Sequence, residues 1–137
     1  DIKEIYRFRN RVLSSSDFFL WDEKAIDYAI RENELTNGRA VFAAADKNLC
    51  GYALFHEIDG SVLVNELCFL NGKFGDIAAL LLAETECDNF RLSLPVVFPI
   101  SSDNNTVRSN AMIFPVSDRA KRNIGYIKNA YFGLTLE

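Results

Sequence analysis

Hydrophobic positions organise the chain around residues 39–82. Three apolar runs, RAVFAAA, CGYALFHE and SVLVNELCF, are separated by the polar breaks Asp46-Lys47-Asn48 and Asp59-Gly60. Asp-Gly between alternating runs is a hairpin signal, because both residues tolerate the positive φ that a tight two-residue turn demands. The pattern predicts an antiparallel meander of three strands over residues 39–45, 50–57 and 61–69. A turn containing Gly72 and Gly75 follows and opens an apolar helix over 74–86. The centre of that helix, Ile77-Ala78-Ala79-Leu80-Leu81-Leu82-Ala83, carries no polar side chain. It is expected to be buried broadly, against the sheet and a second surface. Residues 90–97 then alternate as a further strand, with Pro95 and Pro99 limiting its pairing near the end.

Two helices are predicted ahead of the sheet. Over residues 2–13 the positions Ile5, Phe8 and Val12 recur at helical spacing, with Ile2 and Arg9 on the same side. A polar run, Ser14 to Asp17, ends that helix, and residues 18–21 form an apolar knot, FFLW. Asp22 suits the N-cap of a second helix over 23–35, in which Ala25, Ile26, Ala29 and Ile30 make one face. Thr36-Asn37-Gly38 stops it, with Gly38 placed for a left-handed C-cap. Beyond residue 97 come a polar turn at 101–106, a strand candidate at 111–116 with Pro115 favouring an edge, a charged stretch at 117–128 and a short apolar strand or tail at 130–136. A helix lying between the third and fourth strands requires a crossover. The fold class is therefore α+β: a mixed β-sheet with two N-terminal helices and one central apolar crossover helix.

Two details of the strands bear on function. Residues 39–45 are apolar on both faces, which predicts a central strand covered on both sides. In 61–69 simple alternation puts Val62, Val64, Glu66 and Cys68 on one face, against Leu63, Asn65, Leu67 and Phe69. Glu66 then stands in mid-strand, where a carboxylate needs water, a partner or a ligand.

Composition narrows the class. The chain has 137 residues, 49% hydrophobic and 25% charged, with net charge −4. That is one globular domain, 1–137, able to bury a core without disulfides or a structural metal. Acidic and basic residues are mixed, with no cationic stripe for a phosphate backbone, so no nucleic acid partner is expected. No apolar run reaches the length of a membrane span, and no secretory pattern opens the chain. Cys50, Cys68 and Cys87 are odd in number and match no disulfide framework or metal knuckle, which points to reduced thiols and a cytoplasmic setting. The chain begins at Asp1 and not at Met, as expected if upstream residues have been removed or if it is a piece of a longer protein, here its C-terminal part.

Candidate chemistry is sparse. The single histidine, His56, has no metal-ligand pattern around it, and as a general base it has only Glu57 beside it in sequence. The turn 70–76, Leu-Asn-Gly-Lys-Phe-Gly-Asp, could present backbone N–H groups to an anion, assisted by Lys73. Asp76 in the first helical turn would repel a phosphate and better suits the helix terminus itself. There is no nucleophile elbow around any serine. The apolar end, Tyr131 to Leu136, is expected to dock on this domain or a partner.

Strand, Asp-Gly hairpin, strand, glycine turn, apolar helix and strand resemble the later part of the Gcn5-related N-acetyltransferase (GNAT) fold. The likeness extends to Tyr6 and Trp21 in the opening helices, Gly51-Tyr52-Ala53-Leu54-Phe55, Val64-Asn65-Glu66-Leu67, Ala79-Leu80-Leu81 and the close from Ala130 to Leu136. The chain is most similar to the second domain of tandem acetyltransferases of the enhanced-intracellular-survival (Eis) group. The working family turn, Gln/Arg-x-x-Gly-x-Gly/Ala, is replaced here by Asn71-Gly72-Lys73-Phe74-Gly75-Asp76. The resemblance therefore implies a C-terminal, cofactor-less domain of an N-acetyltransferase. Acetyl-CoA would bind the first GNAT domain of the same protein, and this domain would shape the site for a small-molecule or peptide amine and take part in a homo-oligomer. It also implies one catalytic group here, the terminal carboxylate of Glu137 as general base, if the natural chain ends there. A stand-alone acetyltransferase with an atypical pyrophosphate turn, and a non-enzymatic binding or dimerisation domain, remain as alternatives.

Overall fold

The structure is a computed structural model that describes residues 1–14 and 21–92. Its elements run α1 (Ile2–Leu13), α2 (Glu23–Leu35), β1 (Arg39–Ala45), β2 (Asn48–Ile58), β3 (Ser61–Phe69), α3 (Phe74–Glu84) and β4 (Asn89–Leu92). The four strands form one sheet in the order β1-β2-β3-β4. The β1/β2 and β2/β3 pairs are antiparallel, and β4 returns through α3 to pair parallel with β3. The domain is α+β with a mixed sheet, two N-terminal helices and one crossover helix, the order that the hydrophobic pattern predicted for these residues. The expectations for 93–97, 101–106, 111–116 and 130–136, and for residues 18–20 of the apolar knot, lie outside the described residues.

Local chemistry sets these boundaries. The Asp1 carboxylate accepts from the Lys3 backbone N–H, and that of Asp22 accepts from Ala25, so both first helices start on side-chain caps. Both hairpin turns are two residues long with positive φ throughout: 50° and 65° at Asp46 and Lys47, 50° and 72° at Asp59 and Gly60. The left-handed residue after α2 is Asn37, with φ 62°, and not Gly38. Gly38 is needed for space instead. A Cβ there would lie 2.6 Å from the Asn33 side chain, whose Nδ2 donates to the Arg39 carbonyl at 3.0 Å.

The sheet separates two apolar layers. On one face α3 lays Ile77 and Leu81 on Val41, Ala43, Ala53, Phe55, Val62, Val64, Leu67 and Phe69. On the other, α1 and α2 bring Ile5, Phe8 and Ile26 onto Leu49, Tyr52, Leu54 and Cys68. These faces correct the reading of β3. Leu54 pairs with Glu66 but Phe55 pairs with Val64, so Asn65 is one residue too many on β3. This β-bulge resets the alternation. Val62 and Val64 consequently face α3 together with Leu67 and Phe69, and not with Glu66 and Cys68. A second bulge falls at Cys50 on β2, between the pairs Ala43/Gly51 and Ala44/Leu49.

Two further expectations are not met among the described residues. β1 is an edge strand among the described residues, and Phe42 on its helix-side face is 45% exposed. Its run of small alanines had suggested cover on both faces, but alanines are also compatible with a half-open edge. In α3 only Ile77 and Leu81 are fully buried, and Leu82 is 57% exposed, so the described residues cover one face of this helix and not two.

Gly51 lets α3 approach the sheet. A Cβ at Gly51 would lie 2.7 Å from Cγ1 and Cδ1 of Ile77 and 3.2 Å from Cβ of Phe69. Ile77 is wholly buried, so it cannot swing aside without moving α3. Gly51→Ala is expected to cost about 1–3 kcal/mol by overpacking. Adding Ile77→Val, which removes one crowding methyl, should recover part of the loss in thermal denaturation. An unchanged midpoint for Gly51→Ala would contradict this contact.

Candidate functional site

The bulge puts two consecutive polar side chains, Asn65 and Glu66, on the α1/α2 side of the sheet, where each finds a separate partner set. Glu66 is 1% exposed. Its Oε1 accepts from Arg9 Nε at 3.0 Å and from the Tyr52 hydroxyl at 3.3 Å. Arg9 comes from the buried face of α1 and is also 1% exposed, with its guanidinium stacked over the Trp21 ring at 4.9 Å. Tyr52 is held by Phe8 edge-on and by Phe42 stacked, each 6.2 Å between ring centres. Next along β3, burial pushes the Cys68 thiol far above its ordinary range. The Glu66 charge adds to that and Arg9 opposes it. Cys68 therefore stays a protonated thiol and is no nucleophile.

This cluster is closed. The cavity beside it, between Arg9, Trp21, Ile26, Ala29 and Glu66, measures about 10 Å³, room for a single water molecule. A carboxylate bound to a guanidinium and shut behind two helices has no access to a reactant in this conformation. Its physical role is to satisfy a buried charge.

The second set surrounds His56. Asn65 Nδ2 lies 2.8 Å from His56 Nδ1, and Thr36 Oγ1 lies 2.8 Å from His56 Nε2. The Thr36 hydroxyl also reaches the carbonyls of Glu32 at 2.8 Å and Asn33 at 3.1 Å. An amide nitrogen can only donate, so Nδ1 accepts and the ring proton sits on Nε2. Nε2–H then donates to Thr36 Oγ1, and the Thr36 hydroxyl donates to a carbonyl at the end of α2. Hydroxyl, imidazole and amide in a row look like a nucleophile with its base and orienter. The surroundings argue against that chemistry. Thr36 sits at the carbonyl end of a helix, and the neighbouring backbone N–H groups of Thr36, Asn37 and Gly38 already donate to Glu32, Glu34 and Asn33. No donor remains there for an oxyanion.

The turn into α3 carries the third set. Lys73 occupies the N-cap position without a side-chain cap bond, and its Nζ lies 3.0 Å from Asp76 Oδ2. The hydrogen bond and charge of Asp76 hold the exposed Lys73 ammonium above its ordinary value. Asp76 thus binds Lys73 instead of capping the helix backbone as the sequence suggested. Gly72 has φ 77°, which the turn requires. The turn's cation is paired with an acid in the first helical turn, and that acid opposes an anion at the helix N-terminus.

His56 does not meet Glu57, which forms an ion pair with Arg39 on the neighbouring strand. Cys50 and Cys68 are buried free thiols and Cys87 is a half-buried one. Among the described residues no group of three His, Cys, Asp or Glu side chains is arranged to hold a metal ion. No helix among them is long and apolar enough to cross a membrane. Glu137 lies outside the described residues. The pairings Arg9–Glu66 and His56–Asn65 are not given by the sequence. Arg9 on an apolar helix face and Glu66 in mid-strand were signals of the first, since two unexplained buried charges of opposite sign invite each other.

No protein-family model matches the chain, and no curated protein matches it. Among solved structures it is similar to the crystal structure of the PaiA N-acetyltransferase from Thermoplasma acidophilum in complex with coenzyme A. The identity is 19%, the TM-score 0.36, and the overlap covers 61% of this chain and 64% of that one.

Arg9→Met leaves the Glu66 carboxylate buried beside Tyr52 and should cost about 3–5 kcal/mol in denaturant unfolding. Arg9→Met with Glu66→Leu should cost well under the sum of the two single changes. Additive losses would contradict a direct coupling between the two charges.

Proposed function

We propose that this chain is a GNAT-like domain of an N-acetyltransferase that leaves the coenzyme to another domain and shapes the side of the site where the amine acceptor enters. Element order supports the reading: two helices, an antiparallel meander, a crossover helix and a returning parallel strand. The observation that carries the division of labour is the Lys73–Asp76 pair at the start of α3. A helix N-terminus attracts phosphates through its unpaired N–H groups and the positive end of its dipole. An aspartate in the first turn, holding the turn's lysine, works against both.

On this reading the full protein transfers an acetyl group from acetyl-CoA to a primary amine. The coenzyme supplies the activated thioester. The amine attacks the carbonyl carbon, the thiolate leaves, and a base takes the amine proton. If the natural chain ends at Glu137, its terminal carboxylate is the candidate base. The residues from α1 to β4 form its scaffold. The acceptor is a small-molecule or peptide amine, which suits a chain of net charge −4.

Titration of acetyl-CoA into this chain by calorimetry tests the division. No saturable heat is expected, and Lys73→Ala should leave the trace unchanged. Saturable micromolar binding, lost in Lys73→Ala, would mean that the Asn71–Asp76 turn holds the coenzyme itself and that the chain is a stand-alone enzyme.

A further inference from the structure

We propose that Asn65, the extra residue of the β3 bulge, is a rotating amide latch that reports the protonation state of His56 at the surface of the sheet. The proposal rests on the direction of the hydrogen bonds, independently of the acetyltransferase reading. In the neutral state the chain of donors runs one way: Asn65 Nδ2–H to His56 Nδ1, His56 Nε2–H to Thr36 Oγ1, and Thr36 Oγ1–H to the Glu32 or Asn33 carbonyl. With the Asn65 amide in this orientation, the two ring nitrogens are satisfied in one tautomer only.

Protonation breaks one link and no other. A proton taken from water onto Nδ1 makes both ring nitrogens donors. Nε2–H keeps its bond to Thr36, so the tie to the end of α2 survives. At Nδ1 two donors now face each other at a separation of 2.8 Å. The low-cost remedy is rotation of the Asn65 carboxamide by about 180° around its terminal torsion, which brings Oδ1 to accept from Nδ1–H. The atom that Asn65 turns away from the ring changes from an oxygen to an NH2. The bulge, half-buried and next to Glu66, therefore changes from offering an acceptor to offering donors when one proton binds.

The charged residues on the surrounding elements leave this exchange to Asn65. On α2, Glu32 and Glu34 stand in a last turn that has no basic residue. On β2 and β1, Glu57 and Arg39 pair with each other, and Arg39 also approaches Glu84 of α3 at 4.0 Å. On α1 and β3, Arg9 and Glu66 are joined. Among the described residues neither ring nitrogen contacts a carboxylate, so an uncharged, reversible amide is the group that answers the added proton.

The test uses the whole chain, whose single histidine makes the ring signals unambiguous. Long-range ¹H–¹⁵N correlation at alkaline pH is expected to show the Nε2–H tautomer with Nδ1 unprotonated. On acidification the Asn65 side-chain NH2 signals, identified by their loss in Asn65→Leu, should move in step with the ring. In Asn65→Asp a carboxylate can only accept, so the neutral ring should invert to the Nδ1–H tautomer. A neutral Nδ1–H ring in the native chain, Asn65 signals that ignore the titration, or an unchanged tautomer in folded Asn65→Asp would each overturn the latch.

Discussion

The register of β2 against β3 is the constraint on which the rest of this domain depends. A strand shows alternate side chains to alternate faces, and one extra residue reverses that order beyond the point of insertion. Asn65 is that residue. With it, Val62 and Val64 join Leu67 and Phe69 under α3, and Glu66 stays on the other face. The carboxylate is then buried and needs a cation. Arg9 supplies it from α1, and Trp21, just ahead of α2, covers the guanidinium. The position of both N-terminal helices is thus tied to a single irregularity in the sheet. Breaking such a pair costs more than the pair contributes, because an uncompensated charge remains inside.

The two faces of the sheet consequently differ in character. The α3 face is an apolar layer whose close fit depends on Gly51 under Ile77. The α1/α2 face holds polar networks, Arg9–Glu66–Tyr52 and Thr36–His56–Asn65, among apolar side chains. Among the described residues neither network combines solvent access with free oxyanion donors. At the end of the apolar layer, α3 begins with a lysine held by its own aspartate, where a phosphate-binding turn would keep its positive charge available.

Much of the architecture was legible in the sequence, for identifiable reasons. The helices Ile2–Leu13 and Glu23–Leu35 follow from apolar spacing, the second also from its Asp22 cap, and both hairpins follow from short polar breaks that tolerate positive φ. The bulge was not legible. Val-Leu-Val-Asn-Glu-Leu-Cys-Phe alternates acceptably in either phase until the partner strand fixes the register. For the same reason Glu66 could be recognised as out of place while its partner, 57 residues earlier, could not be assigned. The edge position of β1 among the described residues also escaped, because alanines suit a covered strand and a half-open edge alike. Gly38 was chosen over Asn37 for the left-handed position on the stronger average preference of glycine, whereas here glycine was needed to clear Asn33.

A map of cross-strand nuclear Overhauser contacts between β2 and β3 tests the central claim most directly. The account predicts that Leu54 faces Glu66 and Phe55 faces Val64, with the Asn65 backbone left between them and no ladder partner of its own. A continuous register through this region, in which Phe55 faces Asn65 and His56 faces Val64, would contradict it. Val62 and Val64 would then leave the α3 layer, and the common origin of the Glu66 and Asn65 networks would be lost.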